Sequence, residues 1–148
     1  AITFSEALKV WAKIGGLSFG GTCALQMALS DPQLYPTFLD LSGQGEPTIG
    51  THADTVAHFF GGDEKAFRAH NPTDLLATRR FPGTAGAFVF GSKDSEYGPA
   101  ARRLHEAALR AGIDSHLTEV PGGHSYAVWS AGLERELPWL AHRMGVTS

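Results

Sequence analysis

Cysteine is almost missing from this chain. Cys23 stands alone among 148 residues, so no internal disulfide can form and the redox compartment stays open. Its place in a helix-forming stretch reads as a small buried hydrophobe rather than a reactive thiol. Charge is sparse too: 12 Lys and Arg against 15 Asp and Glu, a net charge of -3. That balance leaves no electrostatic footprint for nucleic acid or acidic lipid. No apolar run approaches a membrane span, and no signal peptide is recognised at the start, so localisation is left unassigned. There is no H-E-x-x-H, and the seven histidines do not cluster with carboxylates at ligand spacing, which argues against a metal centre. The glycine-rich stretch at residues 15–21 lacks the G-K-[ST] ending of a phosphate loop and does not fit G-x-G-x-x-G. No cofactor is implied. Internal repeats and low-complexity tracts are also absent.

What the chain does have is alternation. With 43% hydrophobic residues and 18 glycines and 8 prolines spread along its length, it has the composition of one domain with a real core. A short helix is expected at residues 1–9 and a strand at 10–15. A helix follows at 19–30, stopped by Asp31-Pro32. Residues 35–41 form a nearly continuous apolar strand, as expected when both faces are covered. A helical excursion at about 47–80 holds short helices at 53–60, 64–69 and 71–76, the last capped by Asn71 with Pro72 at its first position. Within it, Val56, Phe59, Phe60 and Phe67 either pack the excursion onto the body or line a substrate pocket. Strands are expected again at 85–90 and 115–120, and helices at 99–111 and 127–143. In the helix at 99–111, Ala100, Leu104, Ala107, Ala108 and Ala111 form the apolar stripe, and Gly112 ends it. In the last helix Trp129, Leu133, Leu137, Leu140 and Met144 form the stripe, and Pro138 should kink it. Strand and helix alternating four times predict an α/β fold, a mostly parallel sheet with helices on both faces.

In such sheets, working residues gather in loops at the C-terminal ends of strands. Gly16-Leu17-Ser18-Phe19-Gly20 is a G-x-S-x-G between a strand-capable run and a helix-forming run. Strand, sharp turn, helix is the setting of a nucleophile elbow, in which Ser18 Oγ stands clear of the sheet at a helix N-terminus. A serine hydroxyl needs a base, and the base needs a partner that fixes its tautomer. His124 follows the fourth expected strand in the glycine-flanked turn Pro121-Gly122-Gly123-His124 and qualifies as base. His116 falls within a strand, and the remaining histidines read as helix-face or loop residues. The acid belongs on the loop after the third expected strand, where Asp94 and Glu96 both lie. Asp94 is nearer the strand end, in Gly91-Ser92-Lys93-Asp94, and is preferred; Asp40 is a further rival but falls inside a strand. The order Ser18, Asp94, His124 is that of α/β-hydrolases. The aromatic residues Phe19, Tyr126 and Trp129 near the elbow suggest an apolar acyl or aryl group on the substrate.

Taken together, Gly15-Gly16-Leu17-Ser18-Phe19-Gly20-Gly21, Asn71-Pro72 before Leu75-Leu76, Gly91-x-x-Asp94 and Gly122-Gly123-His124-Ser125-Tyr126-x-x-Trp129 resemble the "putative esterase" branch of the α/β-hydrolases. That branch includes S-formylglutathione hydrolases, feruloyl esterases and mycolyltransferases. The resemblance implies Ser18 as nucleophile, His124 as base and the backbone N–H of Phe19 as one oxyanion donor, with a small-molecule ester or acyl substrate. It leaves three functional outcomes: a serine ester hydrolase acting through an acyl-enzyme, an acyltransferase of the same fold, or a non-catalytic hydrolase-like module used for binding or assembly. The resemblance also implies that residues 1–148 are the C-terminal part of such a domain, lacking its N-terminal strands. A free sheet edge on the strand at 10–14 is then expected to recruit a second copy or a complementing N-terminal half.

Overall fold

A computed structural model of the chain describes residues 20–146. The helix expected at 1–9, the strand at 10–15 with its free edge, and both Ser18 and Phe19 lie outside the described residues. The elements in chain order are α1 (Gly20–Ser30), β1 (Thr37–Leu41), α2 (His52–Phe60), α3 (Glu64–Arg68), α4 (Pro72–Thr78), β2 (Ala85–Gly91), α5 (Gly98–Arg110), β3 (Asp114–Val120) and α6 (Tyr126–Arg143). The three strands pair in the order β1-β2-β3, and both pairings are parallel.

The central strand sets the layers. Every residue of β2, Ala-Gly-Ala-Phe-Val-Phe-Gly, is buried, as a strand covered on both faces must be. Its side chains alternate between two cores. Phe88 and Phe90 meet Leu25 and Leu29 of α1, Leu75 and Leu76 of α4, and Leu104 and Ala108 of α5. Ala87 and Val89 face the other way, joining Leu39, Val120 and Val128. Helices therefore cover both faces: α1, α4 and α5 on one, α6 on the other. A buried phenylalanine such as Phe88 contributes on the order of 1.5–3 kcal/mol to this core.

Element ends follow local chemistry. β1 starts at Thr37 rather than at residue 35, because Pro36 has no N–H for the ladder; its carbonyl instead accepts from Ala85 N–H at 2.9 Å. Thr51 caps α2 in a reciprocal box with Asp54, and Gly61, at φ 60°, ends the helix in the left-handed region. Asn71 stands at the start of α4, but its amide donates to Asp74 Oδ2 (2.7 Å) and makes no side-chain cap to the backbone. On α5 the deeply buried alanines are Ala101 and Ala108, with Ala100 half-buried. α6 continues through Pro138, and Met144 lies beyond its last turn, 69% exposed, so the expected stripe loses its last member. Cys23 is half-buried, its Sγ 4.0 Å from Met27 Sδ.

In the excursion between β1 and β2, Val56 and Phe67 are buried, Phe67 against the rings of His52 and Phe60. Phe59 is exposed, and with Phe60, Phe67, Ile49 and Pro47 it lines a cavity of about 220 Å³ beside Asn71. Among the described residues no helix is long and apolar enough to cross a membrane.

Candidate active site

Because the strands are parallel, the loops after β1, β2 and β3 emerge at one end of the sheet. The loop after β2 is fastened to the loop after β3 by backbone hydrogen bonds from Ser92 N–H to Val120 O (2.8 Å) and from Lys93 N–H to Gly122 O (2.7 Å). Gly91 makes this contact possible. A Cβ at that position would fall 2.4 Å from Gly123 O and 2.5 Å from Gly122 O. Gly122 itself has φ 133°, a conformation other residues avoid, and a Cβ there would meet Val128 at 2.6 Å. The glycines around the histidine are thus what lets two loops close on each other. Gly91→Ala should lower stability by about 1–3 kcal/mol by forcing these carbonyls away. Urea denaturation of the variant checks this, and an unchanged midpoint would contradict it.

This closure sets Asp94 against His124. Asp94 is buried, its side chain 1% exposed, and Oδ2 lies 2.9 Å from His124 Nδ1. The second carboxylate oxygen accepts the Tyr97 backbone N–H at 2.9 Å, and the Asp94 carbonyl accepts from Gly98 N–H at 3.1 Å as α5 begins. Both oxygens are therefore engaged, and the carboxylate has one orientation. The His124 side chain is about one-third exposed, at 35%, so its ring edge is open to a substrate. In the tautomer that donates Nδ1–H to Asp94, Nε2 is left as an acceptor. Tyr97 stacks on the imidazole with centroids 4.3 Å apart and planes at 27°, and Trp129 meets it nearly at right angles at 4.9 Å.

The other residues considered from sequence have different places. Glu96 is exposed and does not reach His124; its charge instead acts on Tyr97. Burial above all, then the Glu96 carboxylate, holds the Tyr97 phenol above its ordinary value, while a hydrogen bond with the Gln44 side chain pulls the other way. Asp40 is in β1, 1% exposed, with its carboxylate bonded to Gly43 N–H rather than to a histidine. His116 binds Glu136 Oε2 at 2.6 Å on the α6 face, beside Thr118, whose hydroxyl donates to Glu136 Oε1 at 2.6 Å. These contacts tie β3 to α6. Tyr126 is 64% exposed at the start of α6, within two residues of His124. Trp129 is half-buried, and its indole N–H finds no acceptor among the described residues. No group of three His, Cys, Asp or Glu among the described residues is arranged to hold a metal. Two contributors escaped the sequence reading: Tyr97 and Gln44. The signal for Tyr97 was Asp94-x-x-Tyr97 before Gly98-Pro99, an aspartate at a helix start whose carboxylate takes the N–H three residues on.

The family model described as "Putative esterase" matches residues 3–140. The chain belongs to that family. It is 44% identical over 144 residues to an uncharacterized protein of Corynebacterium glutamicum, an alignment covering 93% of this chain and 34% of the relative. The chain therefore spans about a third of that curated relative's length. Among solved structures it is similar to a ferulic acid esterase, with a TM-score of 0.56 and 14% identity, over 84% of this chain and 48% of that one. At that identity the likeness concerns the fold: the esterase's α/β architecture, here with three parallel strands described.

Proposed function

We propose that the protein is a serine-dependent carboxylic ester hydrolase that works through an acyl-enzyme, with Ser18 as nucleophile, His124 as base and Asp94 as the group that orients it. The observation that carries this reading is the 2.9 Å contact between His124 Nδ1 and the buried Asp94 carboxylate at the C-terminal end of adjacent parallel strands. Membership of the esterase family supports it.

The chemistry follows from the tautomer. With its Nδ1–H donated to Asp94, His124 has an acceptor lone pair at Nε2. Ser18 Oγ attacks the ester carbonyl carbon as its proton passes to Nε2, and the carbonyl π electrons move onto oxygen. The backbone N–H of Phe19, which precedes Gly20 in the sequence, is one donor to that oxyanion. Collapse breaks the bond to the alcohol oxygen, which leaves with the proton from Nε2. Water, deprotonated by His124, then attacks the acyl-enzyme, releasing the acid and restoring Ser18. Asp94 stays ionised throughout and stabilises the imidazolium each time it forms.

Ser18→Ala is expected to reduce hydrolysis of a short-chain aryl ester to below about a thousandth and to abolish labelling by a fluorophosphonate. Substantial activity or labelling surviving in this variant would rule out the serine mechanism. A wild-type protein that folds but never labels would instead mark a non-catalytic module.

A further inference from the structure

The imidazole of His124 is restrained at more than one point. Asp94 holds one nitrogen, but a single hydrogen bond leaves the ring able to swing about it, and a third of the side chain faces solvent. Trp129 meets the imidazole edge-on, and the ring of Tyr97 restrains its face. It lies parallel to within 27° and 4.3 Å away, so it covers one face of the imidazole. The same residue's backbone N–H donates to the Asp94 oxygen that His124 does not use. At its far end the Tyr97 hydroxyl lies beside the side chains of Glu96 and Gln44. One residue thus sets the acid through its main chain and covers the base with its side chain, and its hydroxyl reaches the loop after β1.

We propose that Tyr97 is a positioning residue of the reaction, whose ring holds the His124 imidazole in one plane and stabilises the imidazolium formed there. This rests on the serine-hydrolase reading above. The physical basis is twofold. An aromatic face attracts a cation lying over it, so the stack is stronger when His124 has taken the proton than before. A misplacement of the base by a fraction of an ångström to one ångström also costs rate, because the reacting atoms must be aligned. Both effects act on turnover and leave substrate affinity alone.

The test compares Tyr97→Phe, which keeps the ring and removes the hydroxyl, with Tyr97→Leu, which keeps apolar bulk and removes the ring. Active sites are counted by fluorophosphonate stoichiometry, so that misfolded protein does not enter the rate. Per active site, Tyr97→Leu is expected to lose about tenfold in kcat with KM within about twofold of wild type. Tyr97→Phe should stay within about threefold of wild type. A substrate-free readout runs in parallel: the proton NMR signal of the His124 Nδ1–H bound to Asp94 should be sharp in wild type and Tyr97→Phe and broadened in Tyr97→Leu. Equal turnover and equal spectra in all three proteins would overturn the proposal. So would a Phe variant as impaired as the Leu variant, which would assign the role to the hydroxyl. Failure of the serine mechanism would show separately, as labelling that survives Ser18→Ala.

Discussion

Asp94→Asn should lower the turnover of ester hydrolysis by about three to four orders of magnitude while KM stays within a few-fold of wild type. The size of the effect comes from what the carboxylate does for His124. As an anion with no proton, Asp94 Oδ2 accepts only, so it selects the tautomer with hydrogen on Nδ1 and leaves Nε2 free. An asparagine can turn its NH2 toward the ring. It then donates to Nδ1, the ring proton shifts to Nε2, and the base is lost. Even with the amide oxygen facing the ring, no negative charge remains to stabilise the imidazolium. Fold is largely spared, since Asn is nearly isosteric and can still accept the Tyr97 N–H that now meets Oδ1. Glu96→Gln is the comparison, because Glu96 is exposed and its charge reaches Tyr97 rather than His124. A few-fold change or less is expected there. If Glu96→Gln is the crippling change and Asp94→Asn is mild, the acid has been misassigned.

Much of this arrangement was legible before the structure, and the reason is periodicity and punctuation. The run Ala85 to Phe90 is apolar at every position but the glycine, which only a strand buried on both faces requires, and β2 is that strand. Two loops after parallel neighbours must emerge at the same end, so Asp94 and His124 were bound to be close once both strands were recognised. What stayed hidden depends on contacts between distant residues. Tyr97 is a lone aromatic in a loop, with no repeat to reveal what it covers. Phe59 and Phe67 both line the same cavity and look alike in sequence, yet one is exposed and the other buried, because only the packing of α2 and α3 distinguishes them. Met144 continues the spacing of α6 but lies past its last turn, where spacing no longer means burial.

Asp40 is the plainest case of a residue that sequence could place but not interpret, and it yields a prediction about stability. Asp40 should contribute a loss of stability as pH rises from about 4 to about 7, and Asp40→Asn should remove that contribution. The carboxylate is 1% exposed in β1, on the face that meets α1. The Gly43 N–H reaches Oδ1 at 2.6 Å, and Oδ2 has no hydrogen-bond partner among the described residues. Gly21 of α1 and Gly43 both close on it, since a Cβ at either would fall 2.4 Å from Oδ1. Burial pushes the Asp40 carboxyl from 3.8 up to about 7, against a smaller opposing pull from the Gly43 N–H. The folded chain therefore holds this proton more tightly than the unfolded chain does. Well below pH 3.8 both states are protonated and none of this stability has been lost. Above it the unfolded chain ionises first and gains, so folding is progressively disfavoured until the folded carboxyl ionises as well, near pH 7. Three units at about 1.4 kcal/mol each make this a loss of about 4 kcal/mol, an order-of-magnitude figure. Asparagine has no such titration, although its NH2 needs an acceptor and can cost about 1–3 kcal/mol at every pH. The informative quantity is consequently the difference between the two proteins as a function of pH, in which groups common to both cancel. Urea unfolding of wild type and Asp40→Asn at pH 5, 6, 7 and 8 measures it. The variant should gain on wild type by a few kcal/mol across that range, and parallel stability curves would show that Asp40 does not carry its proton to neutral pH.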